Sequence, residues 1–138
     1  MNYARLLALC LALGCATSSS SERLAYKPSS EAVVNPKEVI ERIVTAVPGA
    51  TVSFEEAFFV VHEHGGREPS QQMVRFDRIE KVELISQTND GVHVFGVVLS
   101  DNNLRPMFQW AAKSKDEAQK LADAISVLAT SSVQMHAK

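Results

Sequence analysis

The chain has 138 residues, of which 46 % are hydrophobic and 22 % are charged, and this is enough for one domain with a sizeable apolar core. Its net charge of -2 and its lack of a basic run give no electrostatic basis for binding nucleic acid, so nucleic acid is excluded as an expected partner. Both cysteines, Cys10 and Cys15, lie near the N-terminus, so the rest of the chain holds neither a disulfide nor a zinc-type cysteine motif.

The first fifteen residues have the layout of an export signal. Arg5 supplies a positive charge, and the apolar run from Leu6 to Leu13 is much shorter than the ~20 residues that span a bilayer as a helix. The run ends in Ala12-Leu13-Gly14-Cys15, which resembles the lipobox of bacterial lipoprotein precursors.

This resemblance implies that residues 1–14 are a lipoprotein signal peptide and that Cys15 is acylated, for example with palmitate, so that lipid anchors the protein in the cell envelope. Ala16 stands where an aspartate would imply retention in the inner membrane. The resemblance therefore implies the outer membrane, with the protein facing the periplasm. The alternatives are an ordinary secretory signal and a buried N-terminal helix.

Residues 15–34 are polar and Ser-rich, and this composition predicts a flexible tether with one short ordered piece near Leu24 to Tyr26. The tether is expected to hold a single α+β domain, residues 35–130, away from the membrane. Residues 131–138 are expected to form a frayed tail.

A first helix is predicted over residues 35–47. Asn35 can cap it, Pro36 suits its first position, and Glu38 stands where the acid of a capping box belongs. The apolar side chains recur at helical spacing on one face. This face is expected to pack on the domain's own sheet, with a partner-binding or membrane-lying helix as the alternative.

Six strands are predicted between the helices. Two of them occupy 51–64 with a turn at Glu55-Glu56, and the others start at Met73, Lys81, Val92 and Arg105. Asp90-Gly91 is a strong hairpin signal, and Pro106 predicts that the last strand lies at a sheet edge. The regular spacing of turn signals predicts an antiparallel meander.

A second amphipathic helix is predicted over residues 114–130. Ser114-Lys115-Asp116-Glu117 forms a capping-box sequence. The apolar positions that follow recur at helical spacing. This helix is expected to cap the sheet.

The order of strands closed by a C-terminal helix resembles the pleckstrin-homology-like fold. Residues 52–60 resemble the strand, acidic turn and strand that open its bacterial members, and residues 74–82 resemble their strand, bend and strand, in which Phe76, Ile79 and Val82 point inward. The resemblance implies an antiparallel sheet or partly open barrel. The basic cluster of phosphoinositide-binding members does not carry over, because Glu55-Glu56 occupies that turn.

Three groups of side chains are candidates for chemistry. His62 and His64 are two residues apart on a strand and could share a metal with His93, although two surface histidines are the simpler interpretation. Phe108 and Trp110 could floor a ligand pocket, but core aromatics are expected. The third group is formed by Asp77, Glu80 and Glu83, which could be paired catalytic carboxylates but are better explained as a solvated strand face.

The sequence therefore predicts a membrane-anchored, non-enzymatic lipoprotein without a cofactor. Its domain is expected to bind an envelope protein or to be structural. An open sheet edge or a groove beside the C-terminal helix is the expected contact surface. The alternatives are a metal-binding envelope protein that uses His62 and His64, and an envelope hydrolase whose site is not identified.

Overall fold

The computed structural model describes residues 19–28 and 33–136. The predicted signal peptide and Cys15 lie outside the described residues. The described ranges contain two α-helices and seven β-strands, which confirms the α+β class. In chain order these elements are β1 (Ser19–Arg23), α1 (Pro36–Thr45), β2 (Ala50–Phe54), β3 (Phe58–Glu63), β4 (Ser70–Arg75), β5 (Lys81–Asn89), β6 (Val92–Ser100), β7 (Pro106–Ala112) and α2 (Lys115–His136).

The strands form two antiparallel sheets instead of the single meander that the sequence predicted. One sheet has the order β2-β3-β4 and the other has the order β1-β5-β6-β7. The two sheets approach each other at β4 and β7, where the backbone N–H of Gln109 donates to Oε1 of Gln72 at 3.3 Å. They do not close into a barrel. As Pro106 predicted, β7 lies at the edge of its sheet.

The prediction of about six strands missed β1, which lies within the segment assigned to a tether. Its serines pair with β5 from Ser19↔Asn89 to Arg23↔Ile85. The side chains of β1 show no apolar alternation. The strand is instead held at the sheet edge by backbone hydrogen bonds, which do not require a particular side-chain pattern. The ordered piece predicted at Leu24 to Tyr26 follows β1, and both of these side chains pack against the core.

The core lies between the inner faces of the two sheets and the two helices. Phe59 of β3 meets Phe108 of β7 edge-to-face, with ring centroids 5.6 Å apart. Such aromatic pairs stabilise packing beyond the area that they bury. The helices cover these rings with buried side chains, which are Ile40, Ile43 and Val44 from α1 and Ala118, Leu121, Ala122 and Ile125 from α2. As the resemblance implied, Phe76 is buried and Ile79 and Val82 pack on this core.

The first helix is shorter than residues 35–47. Its amphipathic face packs inside the domain, as expected. The side chain of Asn35 makes no capping bond to the backbone, and its Nδ2 instead donates to Oε2 of Glu38 at 3.3 Å. The helix ends at Thr45, before Pro48 and Gly49.

The second helix extends past the predicted end at residue 130. The N-cap bond of its capping box forms, since the backbone N–H of Glu117 donates to Oγ of Ser114 at 3.1 Å, while Oε2 of Glu117 accepts from the backbone N–H of Lys113 at 2.6 Å instead of that of Ser114. Thr130 and Ser131 do not end the helix, because their hydroxyls donate to the carbonyls of Ser126 and Val127 one turn earlier. Such bonds satisfy the polar side chains within the helix. The helix therefore continues into the segment that the sequence assigned to a frayed tail.

The predicted hairpins form at the expected turns. Asp90 and Gly91 have φ angles of 47° and 79°, which are the positive values that a two-residue type I′ turn requires. The turn between β2 and β3 is closed by the backbone N–H of Glu55, which donates to the carbonyl of Phe58 at 2.8 Å. Both turns fix the register of the strands that they join.

Candidate functional site

The two faces of the four-stranded sheet have different side chains, because successive residues of a strand point to opposite faces. The inner face belongs to the core. The outer face carries a second, smaller apolar cluster that is separate from the core, and its members are Ile85, Val94, Val98 and Ala111. Each of these side chains is more than nine-tenths buried.

Charged residues lie beside this cluster at one end of the sheet. Glu83 is 15 % exposed, and its Oε1 accepts from Nζ of Lys81 at 2.7 Å and lies 3.4 Å from a guanidinium nitrogen of Arg23. The two cations come from different strands, so the carboxylate joins β1 to β5. Glu83 is largely buried, whereas its two cationic partners are more exposed. The three charged side chains therefore lie at the edge of the outer apolar cluster.

These residues line a concave surface that we call the outer groove. Its volume is about 490 Å³. The floor is formed by Ile85 and Val98, the charged end by Arg23, Lys81 and Glu83, and the remaining wall by Ser21, Ser100, Leu104, Pro106 and Gln109. All of the strand residues named here belong to the outer face.

Two glutamines on the outer face have unused hydrogen-bonding capacity. Gln87 is buried, and its Oε1 has no hydrogen-bond partner among the described residues. The same is true of Oε1 of Gln109, in the wall of the outer groove. A buried amide oxygen without a partner costs free energy, and both oxygens are covered by neighbouring side chains.

Leu104 is held at the rim of the groove in an unusual backbone conformation. It is 68 % exposed, and its φ angle of 59° lies in the left-handed region that disfavours a leucine by about 1–2 kcal/mol. Asp101 fixes this loop, because its Oδ1 accepts from the backbone N–H groups of Asn103 and Arg105, both at 2.9 Å. The loop therefore presents a large apolar side chain to solvent at a fixed position.

The predicted metal ligands lie on different sheets. The rings of His62 and His64 are nearly parallel, with centroids 6.3 Å apart, at the end of β3. His93 lies on β6, where its Nε2 shares a hydrogen bond with the hydroxyl of Ser86 and its ring stacks on Phe95. Within residues 19–28 and 33–136, no group of three or more histidine, cysteine or acidic side chains is placed to hold a metal.

The three predicted carboxylates have different environments. Asp77, on the turn after β4, accepts from Nε and a terminal nitrogen of Arg75 at 3.1 and 2.8 Å, and this bond holds the pKa of the Asp77 carboxyl below its ordinary value. Glu83 belongs to the outer groove and pairs with Lys81 and Arg23. Glu80 is exposed. The ion pair of Asp77 shares no residue with the two ion pairs of Glu83.

Phe108 and Trp110 are core residues, as expected. Both are almost completely buried, and their rings are nearly parallel with centroids 6.3 Å apart. They face the inner side of the sheet and are therefore no part of the outer groove.

The predicted groove beside the C-terminal helix is also present. It has a volume of about 450 Å³ and runs between α1 and α2, where Val34, Glu38, Arg42 and Lys120 contribute to its wall. Val34 is 92 % exposed. This groove lacks the unpaired buried acceptors of the outer groove among the described residues.

Sequence reasoning identified Glu83 but missed most of the outer groove. Arg23 was assigned to the tether, and the turn at residues 101–103 was recognised without the left-handed Leu104 that follows it. The position of Gln109 between Phe108 and Trp110 was the available signal, because a glutamine in a buried strand needs a partner.

No family model matches this chain, and no curated protein and no solved structure is significantly similar to it. None of the helices in the described ranges combines the length and the apolar character that crossing a membrane requires.

Proposed function

We propose that this chain is a lipid-anchored protein of the bacterial cell envelope that binds an extended segment of another envelope protein in the outer groove. We also propose that it has no catalytic role. The observation that carries the binding proposal is the outer groove itself, where an apolar floor lies beside the ion pairs of Glu83 and the exposed Leu104.

The groove has the elements that recognition of a peptide requires. Peptide sites combine an apolar floor with a few fixed polar groups. Ile85 and Val98 supply the floor, Gln109 supplies a polar side chain in the wall, and Glu83 with its two cations supplies charge at one end. Leu104 adds an apolar contact at the rim.

The arrangement of the carboxylates favours binding over hydrolysis. General acid–base catalysis by two carboxylates needs both groups beside the same reacting bond. Asp77 and Glu83 are instead held in separate ion pairs, and the lowered pKa of Asp77 makes it a weaker proton acceptor.

The anchor and the family remain proposals that rest on the sequence. The lipobox-like Ala12-Leu13-Gly14-Cys15 supports export and acylation, and Ala16 supports the outer membrane. Two antiparallel sheets with a C-terminal helix are compatible with a pleckstrin-homology-like fold, which we propose as the family of this domain.

The binding proposal is tested by site-specific photocrosslinking in native membranes. A photoreactive residue at Leu104 should give one predominant protein adduct, and Gln109→Leu should reduce that adduct because the groove wall loses its polar side chain. Met73, which is 52 % exposed on the other sheet, is the matched control position and should give no such adduct. Equal adducts from both positions, or an adduct that Gln109→Leu leaves unchanged, would contradict the proposal.

The anchor is tested separately by labelling cells with radioactive palmitate. Wild-type protein should incorporate the label and Cys15→Ser should not. Equal labelling of the two proteins would contradict acylation at Cys15.

A further inference from the structure

The position of β1 limits how far the domain can lie from its proposed anchor. Only residues 16–18 separate Cys15 from Ser19, the first residue of β1. A chain of four residue steps reaches at most about 14 Å when fully extended. A tether that ran to residue 34 would allow several times this distance, but β1 is fixed to the sheet by its pairing with β5.

The anchored end of β1 lies at the β5–β6 hairpin. Ser19 pairs with Asn89, which directly precedes the Asp90-Gly91 turn, and Val92 follows this turn. Neighbouring strands are about 4.8 Å apart, so the hairpin lies next to the point where the chain leaves for the anchor. Val92 is 44 % exposed there.

The outer groove extends toward the opposite end of the sheet. Strand β5 runs from Asn89 back to Lys81, a distance of roughly 26 Å at ~3.3 Å per residue. Lys81 pairs with Ser100, and Leu104 lies in the loop that follows Ser100. The charged end of the groove and Leu104 are therefore far from the anchored end.

We propose that the lipid anchor holds the β5–β6 hairpin against the bilayer surface and directs the Leu104 loop away from it. This inference rests on the proposed acylation of Cys15. Two exposed lysines, Lys113 and Lys115, follow the end of β7 on the hairpin side of the sheet. Exposed Asp90 and Asp116 lie at the same end and offset the attraction of these lysines to anionic headgroups, so the orientation rests on the short connection between Cys15 and β1. The orientation leaves the charged end of the outer groove open to a partner in the periplasm.

The orientation is measured by fluorescence quenching on the acylated, full-length mature protein in lipid nanodiscs that carry nitroxide headgroups. A fluorophore is attached to Val92→Cys or to Leu104→Cys. The new cysteine is the only free thiol, because Cys10 leaves with the signal peptide and Cys15 is acylated. Quenching should be several-fold stronger at position 92 than at position 104.

A proline pair tests whether β1 sets this orientation. Leu24 donates its N–H to the carbonyl of Leu84, so by antiparallel alternation the N–H of Glu22 points to β5 and that of Ser21 points away. Glu22→Pro should release β1 and abolish the difference in quenching. The matched control Ser21→Pro should keep it, because an edge strand tolerates proline where the N–H faces outward.

Two readouts distinguish a failure of the proposed orientation from a failure of the proposed anchor. Mass spectrometry of the same preparation reports whether Cys15 is acylated, and an unacylated cysteine would overturn both proposals. In acylated protein, equal quenching at positions 92 and 104 would overturn the orientation and leave the anchor intact. A quenching difference that persists in Glu22→Pro would overturn the role assigned to β1.

Discussion

The inner and outer faces of the four-stranded sheet are built from the same strands but have different compositions. The inner face carries Leu84, Val97, Leu99, Phe108 and Trp110, all of them essentially buried under the second sheet and the helices. The outer face carries a small apolar cluster, two unpaired amide oxygens and a half-buried ion-pair group. Strand alternation thus places one face of the sheet in the core, and the groove proposed for binding lies on the other face.

The largest expected difference between the faces is in stability. Phe108→Ala should lower the free energy of unfolding by about 3–5 kcal/mol, because it opens a cavity in the core. Val98→Ala on the outer face should cost only about 1.5 kcal/mol, at ~0.8 kcal/mol for each of two lost carbons. Urea denaturation of both variants measures the difference, and equal losses would contradict the assignment of the core to the inner face.

A smaller effect is expected at the charged end of the outer groove. Glu83→Gln should lower the free energy of unfolding by about 1 kcal/mol, the upper range for an ion pair whose cations are exposed. The matched control is Lys120→Gln, which breaks the exposed pair of Asp116 with Lys120 but keeps the acidic first turn of α2, and it should cost no more than about 0.5 kcal/mol. Losses of the same size would show that Glu83 behaves as an ordinary surface charge.

The strained loop predicts that two substitutions of Leu104 differ in stability but weaken binding alike. Leu104→Gly should be about 0.5–1 kcal/mol more stable than Leu104→Ala, because glycine adopts a positive φ without strain. The larger conformational entropy of glycine in the unfolded chain cancels part of this stabilisation. Both variants should weaken binding of a partner, since both remove the exposed side chain. Thermal unfolding compares their stabilities, and a less stable glycine variant would argue against strain at this position.

The smallest expected effect lies outside both faces, at Asp77. Its folded-state pKa is lowered mainly by the hydrogen bond from Arg75 and less by Arg78. Arg75→Gln should therefore raise this pKa toward its ordinary value, and Arg78→Gln should raise it less. A carboxyl titration followed by nuclear magnetic resonance measures both shifts, and a larger shift in Arg78→Gln would contradict the assigned cause.

The Asp77 carboxyl also determines how its contribution to folding stability changes with pH. Because the folded-state pKa of Asp77 is lowered, the ionised carboxylate stabilises the folded protein above the unfolded-state pKa. This contribution is lost as the pH falls through the lowered folded-state value. Stability attributable to Asp77 should therefore decrease in acid in the wild type, and it should depend less on pH in Arg75→Gln.

Sequence patterns predicted the parts of the fold that are set by local chemistry. The Asp90-Gly91 turn, the capping box at Ser114 and Glu117, and the inward Phe108 and Trp110 each follow from residues close in the chain. The division into two sheets did not follow, because it depends on which strands meet across the core.

The outer groove was harder to predict because it is assembled from distant segments. Arg23 reaches Glu83 only after the serines of β1 pair with β5, and no side-chain pattern marks that pairing. The strain at Leu104 is a backbone property that its residue type disfavours. Sequence reasoning therefore found Glu83 as a charged residue but not the surroundings that make it part of a site.

The chemical state of the N-terminus of the native protein tests the proposed lipid anchor most directly. Mass spectrometry of protein isolated from its own membranes should give a chain that begins at Cys15, with acyl chains adding to the mass of this residue. A chain that begins at Met1, or a Cys15 without acyl chains, would contradict the lipid anchor, and the proposed location and orientation would fail with it.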